Sequence, residues 1–480
     1  MKPSEIMDLD TQSRIDLWRH VTKVIESYIT TVHQSQVASE LNPEKIRFLL
    51  NSMQFTDSLA PKDAVDFVVQ GLWDHQVHTP HPCYFGLFNP APTTMGIAAD
   101  TLAAAFNPQL AAWSHSPFAN EVEQHLIRIF GSQFGYDVTT TAGTFTSGGT
   151  EANLTALLTA LSETFPEFAE RGVRGLVGQP TLYTSAECHH SIIRAARTCG
   201  LGSDAVRLIP IDQSLQMDVK MLREQIASDS NAGYTPFLIV ATAGTTNAGM
   251  VDPIARLADV ASSANVWLHV DAAWGGAAVF VPELRSALEG IERADSITFD
   301  AHKWLSVPMG AGLYVTRHPD ILRRTFSIST GYMPTDAHGL NVIDPYMHSI
   351  QWSRRFIGLK IFLSLAVVGW DGYRAVIKHQ VSMGDLLRRK LEEDGWRIVN
   401  KTKLPVVCFI NDQDRDREPS RFIETVAKKV VSSGKAWIST TYLNKDVAVL
   451  RACITNYRTE SEHISALTTI LRRVRSEILH

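Results

Sequence analysis

The sequence predicts an α/β protein with a large domain built on a mainly parallel sheet and a smaller α/β domain after it. Between about residues 120 and 320, short β-rich apolar runs alternate with helical stretches. Several of these runs are apolar on both faces, the pattern of parallel strands covered by helices. From about residue 370 the rhythm changes, and "WRIV", "LPVVCFIN", "AWIS" and "VAVLRACI" alternate with helical segments.

Before the first strands, Ile15, Trp18, Val21, Ile25, Tyr28 and Ile29 recur at helical spacing, and Ala64, Phe67, Val68 and Leu72 repeat it after Pro61. Residues 1–80 therefore read as a helical packing segment. The expected strands are "TLYTS" from Thr181, "VRLIPI" from Val206, "PFLIVATAG" from Pro236, "VWLHVDAA" from Val266, "SITFD" from Ser296 and "GLYVT" from Gly312. Between two of them, Asp252 is expected to cap a helix that has Pro253 at its first position. An apolar helix from Phe356 to Val368 then leads into the tail, which divides the chain into 1–80, 81–369 and 370–480.

The 480 residues are 45% apolar, enough for a large core, and carry a net charge of −5. With no basic surplus and no Lys/Arg block interleaved with aromatics, nucleic acid is not an expected partner. No run approaches the roughly 18 apolar residues of a membrane span. The polar, acidic start and five scattered cysteines lead to the expectation of a soluble, cytoplasmic protein with reduced thiols.

Four stretches carry candidate chemistry. In "TSGGTEAN", Gly148, Gly149 and Thr150 open an apolar helix, where free N–H groups and the positive dipole end suit a phosphate; an ordinary glycine turn reads the same way. In "HVDAAWGG", Asp271 ends an apolar strand and the alanines after it leave room for a flat group, although Asp271 alone reads equally as a turn cap. His189 and His190 lie between a strand and a helix, with no carboxylate or cysteine pattern to complete a metal set. His75, His78 and His81 stand among prolines that favour extended chain, so no metal site is expected there either. Fourth, "DAHKW" sets His302 and Lys303 in a run that otherwise reads as buried strand and turn. A lysine is rarely buried unless its charge is paired or removed, and forming an imine removes it.

Taken in order, "HPCYFGLFNPAP", "WSHSPFANEVE", "TSGGTEAN", "ATAGTTNAG", "HVDAAWGG", "DAHKW" and "SRRFIGLK" resemble the group II family of pyridoxal-phosphate-dependent amino-acid decarboxylases, which includes aromatic amino-acid and glutamate decarboxylases. The resemblance implies a fold type I architecture like that of aspartate aminotransferase, a homodimer and bound pyridoxal 5'-phosphate. It further implies that Lys303 carries the cofactor as an imine, that His302 lies near the phosphate, and that Asp271 pairs with the ring nitrogen. Ala273 and His189 would then face the two sides of the ring, with Gly148, Gly149 and Thr150 at the phosphate and Thr246 facing cofactor and substrate.

The family brings a tyrosine to the site on a mobile loop, and "GYMPTDAHGLNVIDPYMHSIQW" has the composition of that loop. Counting back from Arg354, Arg355 and Phe356 puts Pro345 at the expected place and Tyr346 just after it. This departure leaves two outcomes open, an amine if Tyr346 protonates Cα and an aldehyde if oxygen intervenes. His348 and Tyr332 are further candidate donors. The apolar, aromatic "CYFGLF", Cys83 to Phe88, corresponds in the resemblance to a pocket-lining stretch of the family and so implies an aromatic or bulky substrate, and Arg355 is the candidate partner for an acidic one. A catalytically silent binding relative is the reading from a different class.

Overall fold

In the computed structural model the described residues are 3–328, 330–334, 337, 339–411, 419–444 and 446–479. The central sheet has seven strands: β1 (Ala142–Thr146), β2 (Gln179–Ser185), β3 (Val206–Ile209), β4 (Tyr234–Thr242), β5 (Trp267–Asp271), β6 (Ser296–Asp300) and β7 (Gly312–Thr316). They lie in the order β1-β7-β6-β5-β4-β2-β3. The pairings from β3 through β6 are parallel, and β7 runs antiparallel to both β6 and β1. Because the parallel strands are joined by crossovers, helices cover both faces and the strands are buried along most of their length.

β1 is absent from the expected strands, since "AGTFT" carries one large apolar residue, Phe145, and no alternation. Its place is set by close approach instead: a Cβ on Gly143 would come within 2.4 Å of the Tyr314 carbonyl oxygen. Asp252 also departs from expectation. The helix after it runs Ile254–Ala264 with Pro253 as the flanking residue and no side-chain cap. Asp252 is buried and accepts the backbone N–H groups of Met217 and Thr242, both at 2.8 Å. Those two donors outcompete the helix, and burial raises its carboxyl to about 6.

A second sheet of four antiparallel strands, β8 (Arg397–Ile398), β9 (Val406–Ile410), β10 (Ser439–Leu443) and β11 (Val447–Cys453), lies in the order β10-β11-β9-β8. The helix Gly358–Glu393 runs from the large sheet to this one and breaks at Gly369, whose φ of 65° suits glycine. Cys83, Tyr84 and Phe85 pack in the core of the second sheet, beside Phe409, Val426 and Leu450. Phe85 exchanges backbone bonds with Trp437 and Cys453, which ties this early segment to the last strands.

The N-terminal helices Thr11–Thr31 and Pro61–Asp74 pack on each other, yet Trp18, Val68 and Leu72 remain exposed. No described helix is long and apolar enough to cross a membrane.

Where the chain re-enters the core after the loop, Arg354 pairs with Glu123 at 2.5 Å, with side-chain exposures of 3% and 1%. Glu123 also accepts the N–H of Gly358 at the start of the long helix, 2.9 Å away. Removing one partner of such a pair leaves the other charge buried and unpaired. Arg354→Met is therefore expected to destabilise the protein by about 3–5 kcal/mol, read as a lowered thermal midpoint. Adding Glu123→Gln to it should restore much of the loss.

Candidate active site

All seven strands meet at one edge of the large sheet. The parallel strands end there, and Gly312 at the start of β7 lies between Thr146 of β1 and Asp300 of β6. A Cβ at Gly312 would lie 2.4 Å from Thr146 Oγ1 and 2.6 Å from the Gly148 Cα, so only glycine fits. Outside the carboxyl ends of its strands is where an open α/β sheet places its ligand. A cavity of about 420 Å³ opens there, and its walls include Gly148, Gly149, Thr150, His189, Thr246, Asp271, Ala273, His302 and Lys303. The structure thus brings all nine candidate cofactor residues together.

Each is positioned by the strand before it. The helix Gly149–Thr164 begins directly after β1, and its first N–H groups face the cavity. A Cβ on Gly149 would lie 2.8 Å from Asp300 Oδ2 and 3.3 Å from the Ala273 Cβ, so the turn is pressed close against β5 and β6. Asp271, the last residue of β5, is buried and accepts Asn153 Nδ2 at 2.8 Å on one oxygen and the Ala273 N–H at 3.1 Å on the other. His189 follows β2 and opens onto the cavity, with Nδ1 2.8 Å from Ser191 Oγ. Partial burial lowers its pKa, against the pull of Asp271. His302 is buried, which lowers its pKa as well, and its Nδ1 accepts the Ala311 N–H at 3.1 Å.

Lys303 reaches the cavity, and its Nζ lies 3.0 Å from Asp300 Oδ2. Asp300 is 1% exposed, and its other oxygen has no hydrogen-bond partner among the described residues. A buried acidic side chain therefore holds the end of the lysine at the cavity edge. Asp300 and Asn153 are site residues that sequence reasoning missed. A carboxylate three residues before the lysine was a visible signal for the first; an asparagine in an apolar helix gave none.

The other candidates lie elsewhere. Tyr346 sits in a short turn, Pro345–Met347, with its N–H bonded to the Ala111 carbonyl at 3.1 Å and its ring 4.8 Å from that of Trp352. It does not line the cavity of its own chain. His348 is held neutral by burial, at about 4, and Tyr332 is exposed. Residues 335, 336 and 338 of the candidate loop fall outside the described residues. The end of this stretch is fastened to the site, because Gln351 Nε2 reaches both Glu151 oxygens at 2.8 Å and Glu151 in turn accepts Ser147 N–H and Oγ–H. Arg355 pairs with Asp100 at 3.3 Å, away from the cavity. Of the "CYFGLF" stretch, Phe88 stacks on Trp274, a cavity wall, at 4.3 Å and 16°. Among the described residues no cluster of His, Cys, Asp or Glu could hold a metal ion.

Pyridoxal phosphate asks for an amine to bind its aldehyde, a carboxylate for its ring nitrogen and N–H groups for its phosphate. Lys303, Asp271 and the Gly148–Gly149 helix start fit those demands within one cavity. With the sheet order described above, this defines a pyridoxal-phosphate-dependent enzyme of fold type I. The family described as "Pyridoxal-dependent decarboxylase conserved domain" matches residues 51–411, and the chain belongs to it as a pyridoxal-phosphate-dependent amino-acid decarboxylase. Its relatives include an aromatic-L-amino-acid decarboxylase of Bacillus atrophaeus, 29% identical over 99% of this chain and 98% of that one. An L-2,4-diaminobutyrate decarboxylase of Rhizobium meliloti is 35% identical over 63% of this chain and 59% of its own. A phenylacetaldehyde synthase of Arabidopsis thaliana is 25% identical over 98% of each. Among solved structures, Oryza sativa TDC with PLP and tryptamine shares the fold with a TM-score of 0.92, covering both chains fully at 24% identity.

Under the site, His269 is fully buried, and desolvation lowers its pKa from 6.5 to about 4. The folded state thus resists a proton that the unfolded chain accepts, so stability is fully present above pH 6.5 and falls as pH drops toward 4. The single-site loss is about 3 kcal/mol. Replacing His269 by Gln should flatten the stability-against-pH curve by about one proton between those limits, as read by chemical denaturation at a series of pH values.

Proposed function

We propose that this chain decarboxylates an aromatic or similarly bulky L-amino acid to the amine. The observation that carries the substrate class is the flat apolar wall of Trp274 backed by Phe88, in a cavity whose described lining contains no arginine for an acidic side chain. The full-length likeness to an aromatic-L-amino-acid decarboxylase supports the same reading.

When bound, the cofactor supplies an aldehyde for the substrate amine and a protonated ring that takes up the electron pair left at Cα. Lys303 would hold the cofactor through its amine, and Asp300 would steady that amine when it is free. Asp271 keeps the ring nitrogen protonated. His189 and Ala273 would flank the ring and so orient the substrate bond that breaks. Gly148, Gly149 and Thr150, with His302 beside them, would hold the phosphate, and Thr246 would face the substrate.

Proton delivery to Cα is assigned to Tyr346 from a second copy. The exposed Trp18, Val68 and Leu72 on the N-terminal helices offer an apolar surface for a homodimer. A cytoplasmic enzyme accords with the five free cysteines. A second reading, decarboxylation with oxidative deamination to an aldehyde, is favoured by the position of Tyr346 outside its own cavity and by the aldehyde synthase among the relatives.

Product analysis by mass spectrometry in air, over a panel of aromatic, acidic and aliphatic L-amino acids, tests both readings. An amine from aromatic substrates is the expected result; aldehyde, ammonia and oxygen uptake would establish the second reading. Lys303→Ala should abolish turnover and the borohydride-stable adduct at that position, and Asp271→Ala should retain cofactor while lowering kcat severely. If Tyr346 is the donor, Tyr346→Phe should lower amine formation about a hundredfold and divert product to the aldehyde.

A further inference from the structure

Asn153 sits where four polar side chains meet beneath the cavity. Its Nδ2 lies 2.8 Å from Asp271 Oδ2 and 2.8 Å from Ser191 Oγ, and its Oδ1 lies 3.1 Å from His269 Nε2. His269 Nδ1 is 2.9 Å from Ser296 Oγ, which also receives the indole N–H of Trp267 at 2.9 Å. The residues come from two helices, Gly149–Thr164 and Ser191–Thr198, and from strands β5 and β6.

Hydrogen-bond direction along this chain is determined by its ends. The Trp267 indole can only donate, and an ionised Asp271 can only accept. Asn153 must therefore turn its NH₂ toward Asp271, since its oxygen there would face another acceptor. Its oxygen then needs a donor, which makes Nε2 of His269 the protonated nitrogen and leaves Nδ1 to accept from Ser296. This agrees with a ring kept neutral by burial. The second hydrogen of the same NH₂ occupies Ser191 Oγ as an acceptor, so the hydroxyl proton goes outward to His189 Nδ1. The Ser191 backbone N–H, 3.2 Å from the same nitrogen, points the same way.

We propose that Asn153 is a positioning residue that couples Asp271 to His189, donating to one oxygen of the first and fixing the second as the neutral tautomer with its hydrogen on Nε2. Nε2 has no hydrogen-bond partner among the described residues, so this hydrogen is the one His189 presents toward the cavity. The assignment stands on the chain without cofactor; its use in the reaction rests on the reading given above.

The test is nitrogen NMR of the full-length protein without cofactor, labelled with ¹⁵N-histidine, with the His189 signals identified by their loss in His189→Gln. The wild type at neutral pH is expected to show Nδ1 bare and Nε2 protonated. In Ser191→Ala, which severs the link and leaves Asp271 untouched, one of the two donors on His189 Nδ1 is lost and the backbone N–H remains, so the Nε2–H population should fall in part. In Asn153→Asp the Ser191 hydroxyl turns inward and a second carboxylate faces Asp271, so the Nε2–H population of His189 should fall and pyridoxal phosphate should bind about tenfold more weakly. A wild-type proton on Nδ1 overturns the proposal, as does a tautomer unchanged in both variants. The labelling result is independent of cofactor chemistry: failure to form the Lys303 adduct with an intact wild-type tautomer would count against the proposed function alone.

Discussion

A carboxylate buried at the end of a parallel strand must be held by donors or lose its charge, and the site is organised around that constraint at Asp271. Its two oxygens take one N–H from the following turn and one from Asn153. The Asn153 bond fixes the helix Gly149–Thr164 against β5, and with it the glycine turn at the helix start. Asp300 repeats the arrangement on the next strand, where a buried carboxylate holds Lys303. Two neighbouring strand ends thus supply two acidic side chains of different use, one satisfied by fixed neutral donors and one by the movable end of Lys303.

The outer parts of the cavity are less self-contained. Trp274 carries its indole N–H to the Gly244 carbonyl at 2.6 Å, which locks the β5 and β4 loops together. Asn247, next to Thr246, links Glu187 on the His189 loop to Thr441 on β10, at 2.8 and 2.7 Å. The small domain therefore bears directly on the loops that carry His189 and Thr246.

Much of this was legible because the chemistry is local in sequence. A lysine at a buried strand end, an aspartate before two alanines and a double glycine at a helix start each announce an unusual local environment, and their order on one sheet makes them specific. The strands "SITFD" and "GLYVT" were readable from their apolar, β-rich composition. Asn153 was not, because its partner Asp271 is 118 residues away and its helix looks like any apolar helix. β1 was hidden by glycine and threonine, whose presence is explained only by the neighbouring Tyr314 backbone. Asp252 had a plausible local role that two backbone donors from other elements displaced.

The stack behind Trp274 has a consequence for biosynthesis. Phe88 lies between Trp274 and the guanidinium of Arg451, 5.0 Å from its ring centre, and Arg451 also donates to the Gly86 carbonyl across 365 residues of sequence. A nascent chain can assemble the large sheet while it is still being translated, but this wall cannot close until β11 has left the ribosome. Until then an apolar face beside the catalytic edge stays open to water and to other chains. The backing of Trp274 is thus finished only after β11 is made, and a polypeptide truncated before β11 would carry the lysine beside a wall that lacks its outer support.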